Sequence, residues 1–208
     1  MCDSPATPGR VNQKRRTRAA IVAAARDLIR SGADVTMPEI ARAALVSEAT
    51  AYRYFPDLIS LLTEAMEGGW PSPTEALRPV AHSTDPVERV AFATEYLLRR
   101  VHAFRGSVRA MISGTITRPE TVRARPGHRF GLIDAALAPL EGSGLDAGEL
   151  ARLKEGLWVV AGAEAFFTLT DLCGLTPDEA VASAVRTAST LVRAALPAGP
   201  GSSGEAAQ

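Results

Sequence analysis

The sequence predicts an all-α protein, and three observations predict it. Apolar residues recur at helical spacing in segment after segment. Four of these segments open on the same cap, a Thr or Asp followed three residues later by Glu: Thr36/Glu39, Asp85/Glu88, Asp146/Glu149 and Thr176/Glu179. Small residues such as Ala161, Gly162, Ala163, Ala184 and Ala188 stand where helices must approach closely. The expected architecture is a three-helix N-terminal head joined to a larger C-terminal helical body. With 208 residues, 46% hydrophobic and 22% charged, the chain has enough apolar matter for a core in one or two domains.

Residues 1–12 carry Ser, Pro, Thr and Gly without periodicity and are expected to be a disordered tail. Lys14-Arg15-Arg16-Thr17-Arg18 follows, four positive charges in five residues. Such a run either solvates a tail or reaches along phosphate or into a minor groove; its place before the first helix favours the second reading. From Thr17 to Arg30 the stripe Ile21, Ala24, Ala25, Leu28, Ile29 predicts a supporting helix, with Ser31-Gly32 as its stop.

Thr36-Met-Pro-Glu39 then starts a second helix at about Met37. Thr36 can accept from the amide of Glu39, Glu39 can reach back to the cap amide, and Pro38 sits where a missing N–H costs little. Ile40, Ala41, Ala44 and Leu45 face inward; Val46-Ser47 interrupts; Ser47 caps a third helix, Glu48 to Phe55. There Ala51 and Phe55 point inward with Tyr54 beside them, which leaves Glu48, Ala49, Thr50, Tyr52 and Arg53 outside. Two short helices, a tight turn and an outer face of small, hydroxyl and basic side chains fit a DNA major groove. A helical hairpin with a polar face satisfies the same pattern.

The spelling from Thr36 to Phe55, TMPEIARAALVSEATAYRYF, with a helix before it and Asp57-Leu-Ile-Ser-Leu-Leu after it, resembles the DNA-binding domain of the TetR family of transcriptional regulators. The resemblance covers about Arg18 to Met66. It implies a helix-turn-helix in which Thr36, Ser47, Thr50, Tyr52 and Tyr54 hold phosphates, with Pro38 in the same turn, and Glu48, Ala49 and Arg53 face base edges. Two positions depart from the family. Leu45 stands where a turn glycine is usual, so the turn must avoid a left-handed backbone or strain Leu45. Leu58 stands where a phosphate-touching Lys is usual. Charge agrees with the assignment: residues 1–55 hold nine Lys/Arg against five Asp/Glu, and the remainder 14 against 18.

Asp57 caps a fourth helix to about Gly68, which closes a head spanning 13–68. The body is expected over 69–196. Pro71 to Thr84 forms the boundary, with a short turn at Glu75 to Val80. A helix from Asp85 to Gly106 carries Val87, Val90, Ala93, Leu97, Val101 and Phe104, and a shorter one spans Ser107 to Ile116. Thr117 to Gly127 reads as an Arg/Pro-rich loop before His128 to Leu140. Single helices are expected from Asp146 to Cys173 and from Thr176 to Leu196, and residues 197–208 as a disordered tail. The resemblance implies that the last two helices pair across a two-fold axis into a four-helix bundle.

Phe92, Tyr96, Phe104, Met111, Phe130, Trp158 and Phe167 are expected around the centre of the body, where they either form core or line an apolar pocket. Tyr96, Glu164, Thr168 and Asp171 are the candidate polar anchors. His82, His102 and His128 have no metal-ligand spacing, and neither a phosphate loop nor a GxSxG or HExxH motif occurs, so the reading is not an enzyme and no cofactor. Cys173 reads as a small buried hydrophobe. No apolar run reaches spanning length and the N-terminus lacks a signal-peptide core, which predicts a cytoplasmic protein without a membrane partner. The expected function is a homodimeric repressor on a palindromic double-stranded DNA operator, released by a small apolar or amphipathic ligand. An activator or ligand-independent regulator is the alternative, and a small-molecule binder without DNA recognition a distant one.

Overall fold

The structure, a computed structural model, describes residues 8–32, 35–67, 69–117, 127–141 and 145–196. Every regular element among them is helical, as the sequence predicts. The expected C-terminal tail, the first seven residues of the expected N-terminal tail and most of the Arg/Pro-rich loop lie outside the described residues. Two compact units emerge. The head takes the chain up to Trp70 and then the stretch from Ala103 to Thr117; the body takes Pro71–His102 and the chain from Gly127.

In the head, α1 (Pro8–Ser31) starts well before the predicted Thr17. The expectation of a tail through residue 12 is corrected here: residues 8–12 are helical. Val11 to Arg16 are all exposed, so no apolar stripe announces this part of the helix, although Gln, Lys and Arg are good helix formers. The basic run is therefore carried on a helix and is not an extended arm. Gly32, at φ 68°, ends α1. A side chain there would come within 3.3 Å of the Ala103 carbonyl oxygen.

α2 (Met37–Ala43) opens on the predicted box: the Glu39 amide donates to Thr36 Oγ1 (3.4 Å), and the Thr36 amide donates to Glu39 Oε2 (3.0 Å). At its other end the amides of Leu45 and Val46 donate to the carbonyls of Arg42 (3.1 Å) and Ala41 (3.0 Å), a Schellman closure. This closure needs a left-handed residue, and Leu45 supplies it at φ 55°. Of the two outcomes open to this turn, the strained one is realised. An L residue held in that region costs roughly 1–2 kcal/mol, and Leu45, 93% exposed, recovers nothing by burial. Leu45→Gly should therefore stabilise the protein by up to about 1 kcal/mol, since glycine's greater unfolded freedom offsets part of the relief. Denaturant unfolding checks this; an unchanged or lower midpoint would refute the strain.

α3 (Glu48–Tyr54) follows Ser47, whose Oγ accepts from the Thr50 amide at 3.2 Å. α4 (Leu58–Met66) is capped by Asp57. The head core gathers Ile21, Ala25, Ile40, Ala41, Ala51, Phe55, Leu61 and Leu62. Leu58 packs against that core, a use that a lysine at the same place would not serve. α7 (Arg105–Thr117), which the sequence assigns to the body, packs on α4 within this unit and adds Met111 to its core.

The body begins with a one-turn α5 (Pro73–Ala76) and a 3-10 turn at Arg78–Val80, then α6 (Pro86–Ala103), α8 (His128–Leu137) with a 3-10 turn to Leu140, α9 (Ala147–Val160), α10 (Ala163–Phe167) and α11 (Pro177–Ala195). Half-buried Arg89 donates to the carbonyls of Val80 (3.0 Å), Ala135 (2.8 Å) and Ala136 (3.0 Å) and so ties α6 to the end of α8. α11 opens on the predicted Thr176/Glu179 box and lays Ala180, Ala184, Ala188 and Val192 inward, with α9 as its main neighbour.

The single helix expected from Asp146 to Cys173 is corrected: it breaks at Ala161-Gly162. Gly162 is extended (φ −80°, ψ 154°), and a β-carbon there would lie 3.1 Å from both Arg129 Nη1 and Glu164 Oε2. Glycine both interrupts the helix and admits that ion pair against the backbone. After α10 the chain widens into a π-helical turn, Thr168–Leu172, closed by the Cys173 amide on Thr168 O (3.2 Å). Cys173 comes out exposed at the end of this turn, against the expectation of burial, because the turn and Gly174 (φ 69°) carry it off the packed face.

His128, half-buried at the start of α8, titrates below the usual imidazole range, through burial first and the Arg100 charge second. The unfolded chain then binds the proton more readily. Stability is full above pH 6.5, the ordinary imidazole value, and falls as the pH drops from there towards the lower folded value. His128→Gln should flatten that limb of a stability-versus-pH curve, and an unaltered slope would place its origin elsewhere.

Candidate nucleic-acid interface and body cleft

The second short helix and its cap present a largely polar outward face, with Leu45 exposed in the turn before it. Ser47, Glu48, Ala49, Tyr52 and Arg53 are exposed, Thr50 and Tyr54 half-buried, while Ala51 and Phe55 on the opposite side are buried. This is the division the sequence predicts, except that Thr50, expected outside, is half-buried. Thr36 and Pro38, at the start of α2, are exposed as well, and so are Lys14, Arg15 and Arg16 on the first turns of α1.

Exposure does not make all of these groups free. The Thr36 hydroxyl is bonded to Glu39 Oε2 at 2.7 Å, and the hydroxyls of Ser47 and Thr50 to one another at 2.9 Å. Arg53 lies over the Tyr54 ring at 5.8 Å, a contact that leaves its donors outward.

Arg18 is the exception among the basic residues. Its guanidinium donates to the Tyr54 carbonyl (3.2 Å) at the end of α3 and to Glu64 Oε1 (3.2 Å) on α4. It also forms an ion pair with Glu64 Oε2 and lies 4.3 Å from the centre of the Phe55 ring. The planar fork meets a helix end, a carboxylate and an aromatic face together, which a lysine could not do. Arg18 braces three helices of the head. Arg18→Ala and Glu64→Ala should both weaken DNA binding while leaving the slope of log affinity against log salt unchanged. A phosphate contact at Arg18 would instead lower that slope by about one per subunit.

A cleft of about 750 Å³ lies in the body, with Phe130, Trp158, Val159, Val160, Ala165 and Leu169 on its apolar side and Arg129, Glu155, Glu164, Thr168 and Thr187 among its polar groups. Phe130 and Trp158 meet edge to face at 4.9 Å. Arg129 Nη1 donates to Glu164 Oε2 at 3.0 Å, and its guanidinium lies 5.1 Å from the Phe130 ring centre. Four of the ten predicted pocket residues come together here: Phe130, Trp158, Glu164 and Thr168.

The other six do not line this cleft. Phe104 and Met111 belong to the head, where Phe104 packs on Trp70 and Met111 joins the core. Phe92 stacks on Tyr96 at 6.3 Å; Phe167 is buried against Phe166; Asp171 is exposed in the π-helical turn and accepts from Thr170 Oγ1. Their helical stripes give burial but not which helices enclose the space. Sequence reasoning misses Arg129 and Glu155, since a charged residue on a helix reads as solvated face; the signal for Arg129 is Gly162, whose small size opens room for it.

Residues 21–65 match the family model described as bacterial regulatory proteins, tetR family. That span runs from the middle of α1 to the end of α4. No curated protein matches the chain. Among the described residues, no helix is long and apolar enough to cross a membrane.

Proposed function

We propose, from the premise that this chain belongs through residues 21–65 to the tetR family and is a DNA-binding transcriptional regulator, that it is a homodimeric repressor released by a small molecule. The observation that carries the reading is the split of α3 into a buried side, Ala51 and Phe55, and an outward side of Ser47, Glu48, Ala49, Tyr52 and Arg53. Each subunit sets that side in a major groove, the two grooves lying about one helical turn apart on a palindromic site. Arg53, Glu48 and Ala49 meet base edges. Ser47, Thr50, Tyr52 and Tyr54, with Thr36 and Pro38 at the start of α2 and Lys14, Arg15 and Arg16 on α1, meet the backbone.

Dimerisation uses α9 and α11 of each subunit, a helix pair rich in small residues that supports a four-helix bundle. A ligand in the body favours a head spacing that fits DNA less well; a coupling of about 1–3 kcal/mol changes affinity about 5- to 150-fold. The protein works in the cytoplasm, without a cofactor and without catalysing a reaction. The test is binding of the purified protein to the DNA upstream of its own gene and to random DNA across a salt series. Specific, salt-sensitive binding by a dimer supports the regulator, whereas absence of even nonspecific binding would remove the DNA-reading role.

A further inference from the structure

We propose that Leu45 is a specificity-determining residue whose side chain covers the 5-methyl group of a thymine in each half-site. The proposal rests on the DNA-reading role given to α3 above. Leu45 holds a left-handed backbone, φ 55°, that glycine adopts without strain, and its side chain is 93% exposed. Its neighbours Ala44 and Val46 pack against the head core; Leu45 does not. One turn thus carries both a strained backbone and a bare leucine. Strain that no contact within the fold relieves points to a contact outside it.

The surroundings of Leu45 say which contact. It precedes Glu48, the first residue of α3, by three positions, and three residues span at most about 11 Å. Ser47, Glu48 and Ala49, which follow it, are exposed as it is. From Ala43 to Tyr52 the sequence has no basic residue, and its one charge is Glu48. Phosphates repel a carboxylate, whereas the cytosine amino group on a base edge donates to one. This end of α3 therefore suits the floor of the major groove better than its phosphate rims. The apolar group that the floor offers is the thymine methyl. A leucine covers that methyl and removes it from water, and a glycine leaves it bare.

The test selects duplexes from a random-sequence pool with the full-length protein and, separately, with its Leu45→Gly variant, which is expected to fold at least as well. The wild type should select a thymine in each half-site that Leu45→Gly does not. Replacing that thymine by deoxyuridine removes the methyl alone; it should weaken wild-type binding about three- to tenfold per half-site and leave Leu45→Gly unchanged. Leu45→Met, apolar and of similar volume, should keep the preference that Leu45→Asn loses. Identical selections by wild type and Leu45→Gly, or an equal response of both to deoxyuridine, overturn the proposal. So does an effect confined to the number of dimers on one duplex, which would make Leu45 a contact between copies of the chain. The functional reading fails in a different way. A wild type that binds no DNA removes the reader and this residue with it, while sequence selection indifferent to Leu45 removes this residue alone.

Discussion

Arg53→Ala is expected to cost about 1–3 kcal/mol at each half-site, and about 2–6 kcal/mol for a dimer whose two contacts are far enough apart to add. The guanidinium is exposed on the outward side of α3, 5.8 Å from the centre of the Tyr54 ring. The loss should fall on the cognate site alone. Competition of cognate against random DNA measures it directly. An equal loss on both would reduce Arg53 to a phosphate contact, and Tyr52 and Glu48 would inherit the search for a base reader.

Gly114→Leu should destabilise the protein by about 1–3 kcal/mol. Gly114 of α7 faces α4 so closely that even a β-carbon would lie 2.5 Å from Ile59 Cδ1 and 2.9 Å from its Cγ1. Ile59 is itself 4% exposed and has little space to retreat into. Gly114→Ala is the milder case, because the helix propensity gained, about 1 kcal/mol, works against the crowding. Pairing Gly114→Leu with Ile59→Ala should return part of the lost stability, since volume removed on one helix makes room for volume added on the other. A double variant no better than the sum of its parts would mean that α4 and α7 do not meet as described.

Local chemistry makes the reading head legible in the sequence. Thr36/Glu39, Ser47 and Asp57 are caps whose partners lie three residues away, and Ala51 and Phe55 follow from helical spacing alone. Long-range contacts are not legible. Nothing within a few residues of Arg18 marks it as the partner of Tyr54 and Glu64, and nothing near Leu58 distinguishes a core leucine from an exposed one. The start of α1 escapes notice for the opposite reason: its exposed residues carry no stripe that packing would impose. In the body, periodicity gives the helices, but the break at Gly162 is hidden by apolar residues on both sides, and with it the cleft that Arg129, Trp158 and Glu164 share.

The place of α7 in the head bears on how such a protein can be taken apart and recombined. A fragment ending at Trp70 contains all of the matched span yet lacks the helix that covers Ile59 and contributes Met111. Exchange of heads between relatives by a single crossover after α4 would join the α4 of one parent to the α7 of another, and the fit of Gly114 to Ile59 would survive only if both parents shared it. Inheritance of the two helices is therefore linked although a long stretch of body sequence separates them. A working chimera needs three junctions, one after α4 and one on either side of α7, or an α7 surface redesigned to suit its new neighbour.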